Sequence, residues 1–456
     1  MEVDPETMQP IGSPLPLFAN REDVLGYERR GEDHVPQRTE AQKEAMKKQL
    51  ENTPGMTGQR LAMALDYISD RGYIEGAWMN RIGDRCYLQY RTPGAQFNIY
   101  ADGVYVGETP LGPFVPARNN PFSYKPGGFM PGAGHGSTME DETGFFWHTS
   151  TMRISMNHVF ERRIGLWPAA CDKSGSLFCN QRYGDWPCRA DQFREDIWSE
   201  PDWMLLSLGR QTSASSCAEG HGPEKAVDEN IRTWWKASSN TPGEWICIDL
   251  GRECSVHAVQ VNFTDDVINE ETCPGVRDAI ERAMQNMTGD DSVRRYIDTI
   301  HQSTRWILET SLDGVSFRVL EDKSRADTDL PHDLVVREEG LTARYVRLRV
   351  LSLPYGQTPC VSGLRVFGLA EGTKPAPVED FSCREEGPLD LYLDWEGEAD
   401  GYVVSWGFSP DKLYHSYMTF SPKVHLGGLM KGQKLWARID SFNGTGITEG
   451  RVLPLR

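Results

Sequence analysis

Short runs of β-type residues, divided by turns that contain glycine or proline, fill the first 200 residues of this 456-residue chain. Examples are Arg85–Tyr90, Gly103–Gly107 and Gly144–Thr149. Strands at this spacing, without long helices between them, predict a propeller or a sandwich. One charged stretch, Glu40–Glu51, has the composition of an exposed helix placed between strands. The fold class that these patterns predict is all-β.

A second strand-rich unit is predicted to begin near Leu206. The segments 243–251 and 344–350 alternate apolar with polar residues, as half-buried strands do. Between them, Pro274–Gln302 has helical spacing, which predicts an excursion from a sandwich. Residues 371–377 have the composition of a linker, and the strand-rich tail after them has the size of a small sandwich.

The composition of the chain limits the classes of molecule that it can bind. The net charge is −18, which argues against nucleic acid, because phosphate binding needs a positive surface. Aromatic residues make up 10% of the chain and include 13 Trp, a mix that is common where sugars are bound. No apolar run approaches the roughly 20 residues of a membrane span, and Met1–Pro5 has no signal-peptide character. The ten cysteines lack zinc spacing, and their scatter favours free thiols.

Three stretches contain candidate site residues. In Tyr73–Met79, Glu75 lies between apolar and aromatic neighbours, where desolvation would raise a carboxyl pKa as a general acid requires. The loop 125–137 holds His135 among five glycines, which would let the backbone carry the imidazole into a confined space. In Phe160–Pro168, a guanidinium within an apolar strand could fork onto a carboxylate or sugar hydroxyls. Each stretch also has a structural interpretation: a strand-edge glutamate, a hydrogen-bonded histidine and an ion pair.

In their order along residues 1–190, these stretches resemble glycoside hydrolase family 43, five-bladed propellers that include α-L-arabinofuranosidases and β-xylosidases. The resemblance implies a partial five-bladed β-propeller over residues 1–200. The matching stretches are Tyr73–Met79, Tyr100–Val106, Pro110–Phe114, the glycine-rich loop around His135, and Phe160–Pro168.

The resemblance also implies roles for individual residues. Glu75 matches the family's general acid, and His135 matches a histidine near the propeller axis that often contacts a central water or metal ion. Arg162 matches a substrate-contacting arginine. The family inverts the anomeric centre, with a second carboxylate about 6.5–9.5 Å away that activates water. No cofactor is required for this chemistry.

The sequence departs from the family before Glu75. The family's base is an aspartate in the first blade, and a second aspartate that tunes the acid also lies upstream. The opening Val3–Gly12 resembles the end of an early blade, and Asp4 within it has a turn-like context. We therefore expect an N-terminally truncated propeller without the usual base, unless Asp141 or Glu142 has taken over. No compartment is specified; a longer parent would be secreted or periplasmic.

Residues 206–370 resemble the coagulation factor 5/8 C-type, or discoidin, domain, a jelly-roll β-sandwich. The resemblance implies glycan binding and a structural calcium at Asp228 and Thr233, with Trp235 in the core. Glu229 stands where the family usually has glycine. The tail, residues 375–456, resembles a fibronectin type III module. The matching stretches are Gln211–Ser216, Ala226–Trp235, Glu309–Phe317 and Ala343–Arg347, and for the tail Gly401–Gly407.

These expectations favour a hydrolase of arabinose- or xylose-containing polysaccharide, in which the discoidin-type module raises the local substrate concentration. The second interpretation is a non-catalytic carbohydrate-binding protein that retains a degraded propeller. A third, an adhesion protein, explains the C-terminal half but leaves the series Glu75, His135 and Arg162 without a role.

Overall fold

The computed structural model describes residues 2–31, 33, 38–68, 72–153, 162–266 and 301–456. The protein is all-β, with a propeller-like arrangement of four antiparallel sheets and a discoidin-type β-sandwich, which confirms the predicted fold class. The helix predicted within 274–302 lies, up to residue 300, outside the described residues. Within the described ranges, no helix is long and apolar enough to cross a membrane.

The N-terminal part contains a short hairpin and two helices. Thr39 caps α1: its Oγ1 accepts a hydrogen bond from the Gln42 amide, and Gln42 Oε1 accepts one from the Thr39 amide. This reciprocal cap fixes where the helix begins. Helix α1 buries no residue, so the predicted exposed helix is confirmed, whereas α2 was not predicted. The bounds are β1 Glu2–Val3, β2 Pro10–Ile11, α1 Glu40–Glu51 and α2 Gly58–Ile68.

Two antiparallel meander sheets follow. The first has the order β3-β4-β5-β6, with β7 also pairing with β5, and the second has the order β11-β10-β9-β8. A shared core of aromatic and aliphatic side chains joins them and includes Tyr87, Val104 and Trp167. Their strands are β3 Glu75–Ile82, β4 Arg85–Thr92, β5 Ala101–Gly107, β6 Val115–Pro116, β7 Ser123–Tyr124, β8 Gly134–Glu140, β9 Phe146–Arg153, β10 Arg162–Cys171 and β11 Leu177–Cys179.

The central sandwich is built on two long, bent strands, β15 and β18. The register between them shifts after Asp249 and again after Val256, and such irregularities let one strand serve both sheets. Trp235 is fully buried in the core, as predicted. The elements are α3 Gln192–Glu195, just before the sandwich, then β12 Met204–Leu205, β13 Gln211–Ala214, β14 Trp235–Lys236, β15 Glu244–Phe263, β16 Arg305–Ser311, β17 Arg318–Asp322, β18 His332–Ser352 and β19 Cys360–Leu369.

The tail forms two further sheets, with the orders β20-β21-β24 and β23-β22-β25-β26; β27 pairs with β25. Their core includes Trp406 and Ile439 and continues into Ile99 and Tyr124 of the N-terminal part. The fibronectin-type identity of this tail stays a prediction. The strands are β20 Ser382–Glu385, β21 Leu391–Asp394, β22 Gly401–Gly407, β23 His415–Thr419, β24 Lys423–Leu426, β25 Trp436–Asn443, β26 Gly446–Thr448 and β27 Leu453–Pro454.

A buried cluster of four charged side chains joins the sandwich to the N-terminal part. Arg365 of β19 donates to both oxygens of Glu229, from Nε at 2.8 Å and from Nη2 at 2.7 Å. Its Nη1 donates to the backbone oxygen of Asp185 at 2.8 Å, and Asp185 in turn binds Lys125 at 2.7 Å. Two cations thus balance two anions, which is the condition for burying them at all.

Candidate functional site

Glu75 begins β3, the edge strand of the first sheet. A bulge between Glu75 and Trp78 breaks the pairing with β4 and turns this strand end. The Glu75 carboxylate forms an ion pair with Arg91, directly opposite on β4. Its side chain is 42% exposed, so the desolvation expected from its apolar neighbours is wrong. Residues adjacent in sequence point to opposite faces of a strand, and here they do not cover the carboxylate.

His135 lies beside Glu75 because Gly76 has no side chain. A Cβ at Gly76 would be 3.0 Å from His135 Cδ2 and 3.1 Å from Arg91 Cδ, and the backbone there has φ +64°. Only glycine fits this approach comfortably. The structure therefore brings the predicted pair Glu75 and His135 to one place. The imidazole is exposed, however, so the expected confinement of this ring is wrong.

Asp102 fixes the backbone at His135. Its buried carboxylate accepts hydrogen bonds from the amides of His135 at 2.8 Å and Gly136 at 3.0 Å. It also contacts His148 Nε2 at 3.2 Å. His135 has φ +63°, in the left-handed region that residues other than glycine adopt uncommonly. Burial raises the pKa of Asp102, and His148 opposes that rise.

The other ring nitrogen of His148, Nδ1, extends this hydrogen-bond network. Its Nδ1 lies 3.0 Å from Thr138 Oγ1, which is also 3.0 Å from Gln89 Oε1. Gln89 Nε2 donates to Asn80 Oδ1 at 2.7 Å. The chain of hydrogen bonds runs from β9 through β8 to β4 and β3, so it locks the sheet that carries His135 to the sheet that carries Glu75.

Two buried charged side chains, Lys125 and Asp185, hold the loop before His135 in place. Lys125 Nζ donates to the backbone oxygens of Gly127 and Met130, each at 2.9 Å, as well as to Asp185. Asp185 Oδ2 also accepts from the Met130 amide at 2.9 Å. Lys125 and Arg365 hold the pKa of Asp185 near 2, because their positive charges outweigh the effect of burial. The loop is therefore pinned by charges within the interior.

Tyr100 and Arg162 also lie close to Glu75 and His135. The Tyr100 ring packs on Gly134, where an added Cβ would be 2.8 Å from the ring. Burial raises the pKa of Tyr100, and the charges of Arg91, Arg162 and Glu75 all act on its phenol. Arg162 begins β10, and its Nη1 lies 3.4 Å from Thr151 Oγ1. The structure thus brings the third predicted residue, Arg162, to the same end of the sheets.

Asp141, which was considered as a substitute base, and Asp4 are both occupied by other contacts. Asp141 follows the last residue of β8, so it lies roughly 20 Å from His135 at about 3.3 Å per residue. Thr143, Trp147 and Arg194 donate to it, and these hydrogen bonds lower its pKa. Asp4 caps its own turn through the amides of Glu6 and Thr7.

The predicted calcium loop shows a convergence of oxygen atoms. Thr233 Oγ1 is 2.6 Å from Asp228 Oδ2, 3.0 Å from the backbone oxygen of Asn230 and 3.4 Å from that of Lys225. Oxygen donors of this kind are what calcium prefers. Glu229 is turned away to Arg365, and the described residues contain no cluster of three His, Cys, Asp or Glu side chains suited to a metal. The donor set fits calcium with a single carboxylate.

Comparison with known proteins identifies one domain. Residues 211–272 match the model of the F5/8 type C domain. The chain contains an F5/8 type C domain. This confirms the discoidin-type part of the prediction, whereas family 43 and the fibronectin type III tail stay predictions. Among curated proteins, none matches the chain.

Solved structures give distant likenesses. One described as "Glycoside hydrolase" is 14% identical with a TM-score of 0.33, covering 65% of this chain and 60% of its own length. A chitosan-binding module from a Paenibacillus sp. IK-5 chitosanase/glucanase is 17% identical, with a TM-score of 0.26 over 36% of this chain and 99% of the module. A Clostridium perfringens module solved with GlcNAc-alpha-1,4-galactose is 7% identical, with a TM-score of 0.27 over 37% of this chain and 97% of the module.

Sequence reasoning missed Arg91, Tyr100, Asp102 and His148. The signal for Asp102 was available, because an aspartate stood inside an otherwise apolar strand pattern. A buried carboxylate needs partners, so that position indicated a polar network. The partners themselves are far apart in sequence and could not be found from spacing.

Proposed function

We propose that this chain is a carbohydrate-active hydrolase of arabinose- or xylose-containing polysaccharide, with Glu75 as general acid. The observation that carries this proposal is the approach of His135 to Glu75 across Gly76. Arg91, Tyr100 and Arg162 surround the same place, which supplies donors for sugar hydroxyls around an exposed carboxyl group. The family resemblance supports the same assignment of Glu75, His135 and Arg162.

The ion pair with Arg91 sets a condition on this chemistry. A general acid must present a proton to the glycosidic oxygen, and in the structure the Glu75 carboxyl group is occupied by Arg91. We therefore expect a bound sugar to separate Glu75 from Arg91. Glu75 then donates its proton to the glycosidic oxygen, and water enters at the opposite face of the ring.

Neither Asp102 nor Asp141 is well placed to act as the base that activates this water. Asp102 is the nearest buried carboxylate to His135, but it is 1% exposed and accepts hydrogen bonds from two amides and a histidine. Asp141 lies at the far end of β8. Positioned proton transfer contributes about 10²–10⁴ in rate, so we expect the chain to turn over aryl glycosides slowly.

The F5/8 type C domain would hold the polysaccharide near this site. Tethering makes each further encounter intramolecular and raises the local concentration of substrate. Asp228 and Thr233, with the backbone oxygens of Lys225 and Asn230, would hold a structural calcium in its loop. The ion would act on the stability of the domain and has no part in the proposed hydrolysis.

Turnover of chromogenic arabinofuranosides and xylosides tests the proposal. Glu75→Gln should reduce the rate at least about 100-fold, since it removes the proton that is transferred. Glu140→Gln is the matched control, because Glu140 is also an exposed glutamate at a strand end but lies at the far end of β8. Equal rates for the wild type and Glu75→Gln would show that Glu75 is not the acid.

The alternative is a non-catalytic carbohydrate-binding protein. The ion pair of Glu75 with Arg91 favours it, because a carboxylate neutralised in this way needs no catalytic role. This alternative predicts no turnover by the wild type, together with calorimetric binding of oligosaccharides that Glu75→Gln leaves unchanged.

A further inference from the structure

A second cleft, with a volume of about 610 Å³, lies at the end of the first two sheets away from Glu75. Strand β5 runs from Ala101, next to the Arg91 end of β4, to Gly107 at the cleft, about 20 Å away at 3.3 Å per residue. The volume falls within the range of small-molecule sites. Three parts of the chain form the walls: the β5–β6 region, the turn at Ser174–Ser176 and Phe408 of the tail.

Asn119 lines this cleft, and its Oδ1 atom is a hydrogen-bond acceptor without a donor among the described residues. The residue is 2% exposed, and its Nδ2 donates to the backbone oxygen of Leu177 at 2.6 Å. Its Oδ1 is buried and accepts no hydrogen bond from the described residues. Buried polar atoms in native proteins are nearly always paired, so this acceptor at the cleft wall calls for a donor from a bound ligand or an ordered water.

Two arginines at the cleft lack an acidic partner. The Arg118 guanidinium lies 4.5 Å from the centre of the Phe408 ring, which fixes its position. Arg85 lies against the turn at Gly175. Neither forms an ion pair with any residue in the described ranges, and Glu108 is the acidic residue among those that line the cleft. The cleft thus carries a net positive charge in a chain of net charge −18.

We propose that this cleft binds an acidic saccharide, an oligosaccharide that carries a uronic-acid carboxylate. The carboxylate would meet the guanidinium groups of Arg85 and Arg118, which match its geometry. A sugar hydroxyl would donate to Asn119 Oδ1, which an unprotonated carboxylate or phosphate could not do. Pro113, Val115 and the other apolar wall residues offer a surface to the CH face of a ring. The choice of a saccharide rests on the proposed function.

Isothermal titration of the full chain tests this inference with two probes: a glucuronate-containing oligosaccharide and the same compound with its carboxyl group reduced to an alcohol. We expect the acidic probe to bind at least tenfold more tightly. Arg118→Gln should remove that preference, and Asn119→Leu should weaken both probes at least fivefold. Arg189→Gln is the control, because Arg189 is exposed and pairs with Asp191 elsewhere.

Absence of binding by the wild type, or a preference for the acidic probe that survives Arg118→Gln, would overturn the inference. Because Arg118 is exposed, loss of folding does not confuse its result. The titrations are repeated in Glu75→Gln, which should bind the acidic probe as tightly as the wild type. A chain that binds at the cleft but hydrolyses nothing would therefore refute the hydrolase alone, and an active chain without cleft binding would refute only this inference.

Discussion

Removing Arg365 from the buried junction tests how the sandwich is attached to the N-terminal part. Arg365→Met keeps an unbranched, largely apolar stem and removes the guanidinium with its charge. Asp185 would keep Lys125 at 2.7 Å and the Met130 amide at 2.9 Å. Glu229, at 1% side-chain exposure, would lose the partner that contacts both of its oxygens. Burial already raises the pKa of Glu229, and only Arg365 opposes this strongly.

The loss of stability expected for Arg365→Met follows from the protonation of Glu229. In the variant, Glu229 would fold as the neutral acid, whereas in the unfolded chain it ionises with a pKa of about 4.3. Each pH unit above that value costs about 1.36 kcal/mol for as long as the folded state keeps Glu229 neutral, so the loss of stability should rise from about 1 kcal/mol at pH 5 to at most about 4 kcal/mol at pH 7. The folded-state pKa is raised, so stability is lost as pH rises. A loss of about 3–5 kcal/mol is usual when one partner of a buried pair is removed.

Urea unfolding at pH 5 and pH 7, followed by tryptophan fluorescence, measures this difference against the wild type. Glu229→Gln combined with Arg365→Met leaves no unpaired charge, so the difference between its stability and that of the wild type should be the same at both pH values. Arg344→Met is the control: Arg344 makes a similar two-point contact with Asp249, but at 39% exposure it should contribute at most about 1 kcal/mol. An equal loss at both pH values for Arg365→Met, or a double variant as sensitive to pH as the single one, would refute the reasoning.

Three further predictions concern the candidate site and the calcium loop. Asp102→Asn should destabilise the fold by about 1–3 kcal/mol and lower turnover, because its amide nitrogen would face a donor; a thermal melt identical to the wild type would contradict this. Azide should accelerate aryl-glycoside turnover by the wild type but not by Glu75→Gln, since an added nucleophile replaces the water that lacks a base. Calcium should raise the unfolding temperature of the wild type and leave that of Asp228→Asn unchanged, which differential scanning calorimetry with and without a chelator would show.

The strands and the helix α1 could be predicted because their signals are local. The β-type run Arg85–Tyr90 and the alternation along 344–350 predicted strands that the structure contains, and the bounds Glu40–Glu51 agree with α1. Helix α2, which lies against α1, was not predicted. The candidate residues Glu75, His135 and Arg162 were found through family resemblance, and the structure places all three at one end of the sheets.

The surroundings of those residues could not be predicted in the same way. Desolvation of Glu75 was inferred from apolar sequence neighbours, but the residue that touches its carboxylate is Arg91, across the strand pair. Exposure of a strand residue depends on what packs against its own face, and neighbours one position away lie on the other face. For the same reason, confinement of His135 did not follow from five glycines around it, since they govern the backbone and not what covers the ring.

The sequence by itself determined the all-β class, the F5/8 type C domain and the burial of Trp235, because period-two patterns and ordered motifs act over a few residues. The tertiary structure alone decided the contacts that give the molecule its chemistry. Glu229 meets Arg365 across 136 positions, and Asn119 shares a cleft with Phe408 of the tail. Such pairs form only when sheets from distant parts of the chain pack together. For Glu229 and Arg365, the cost of burying a charge without a partner then favours the one arrangement that pairs them.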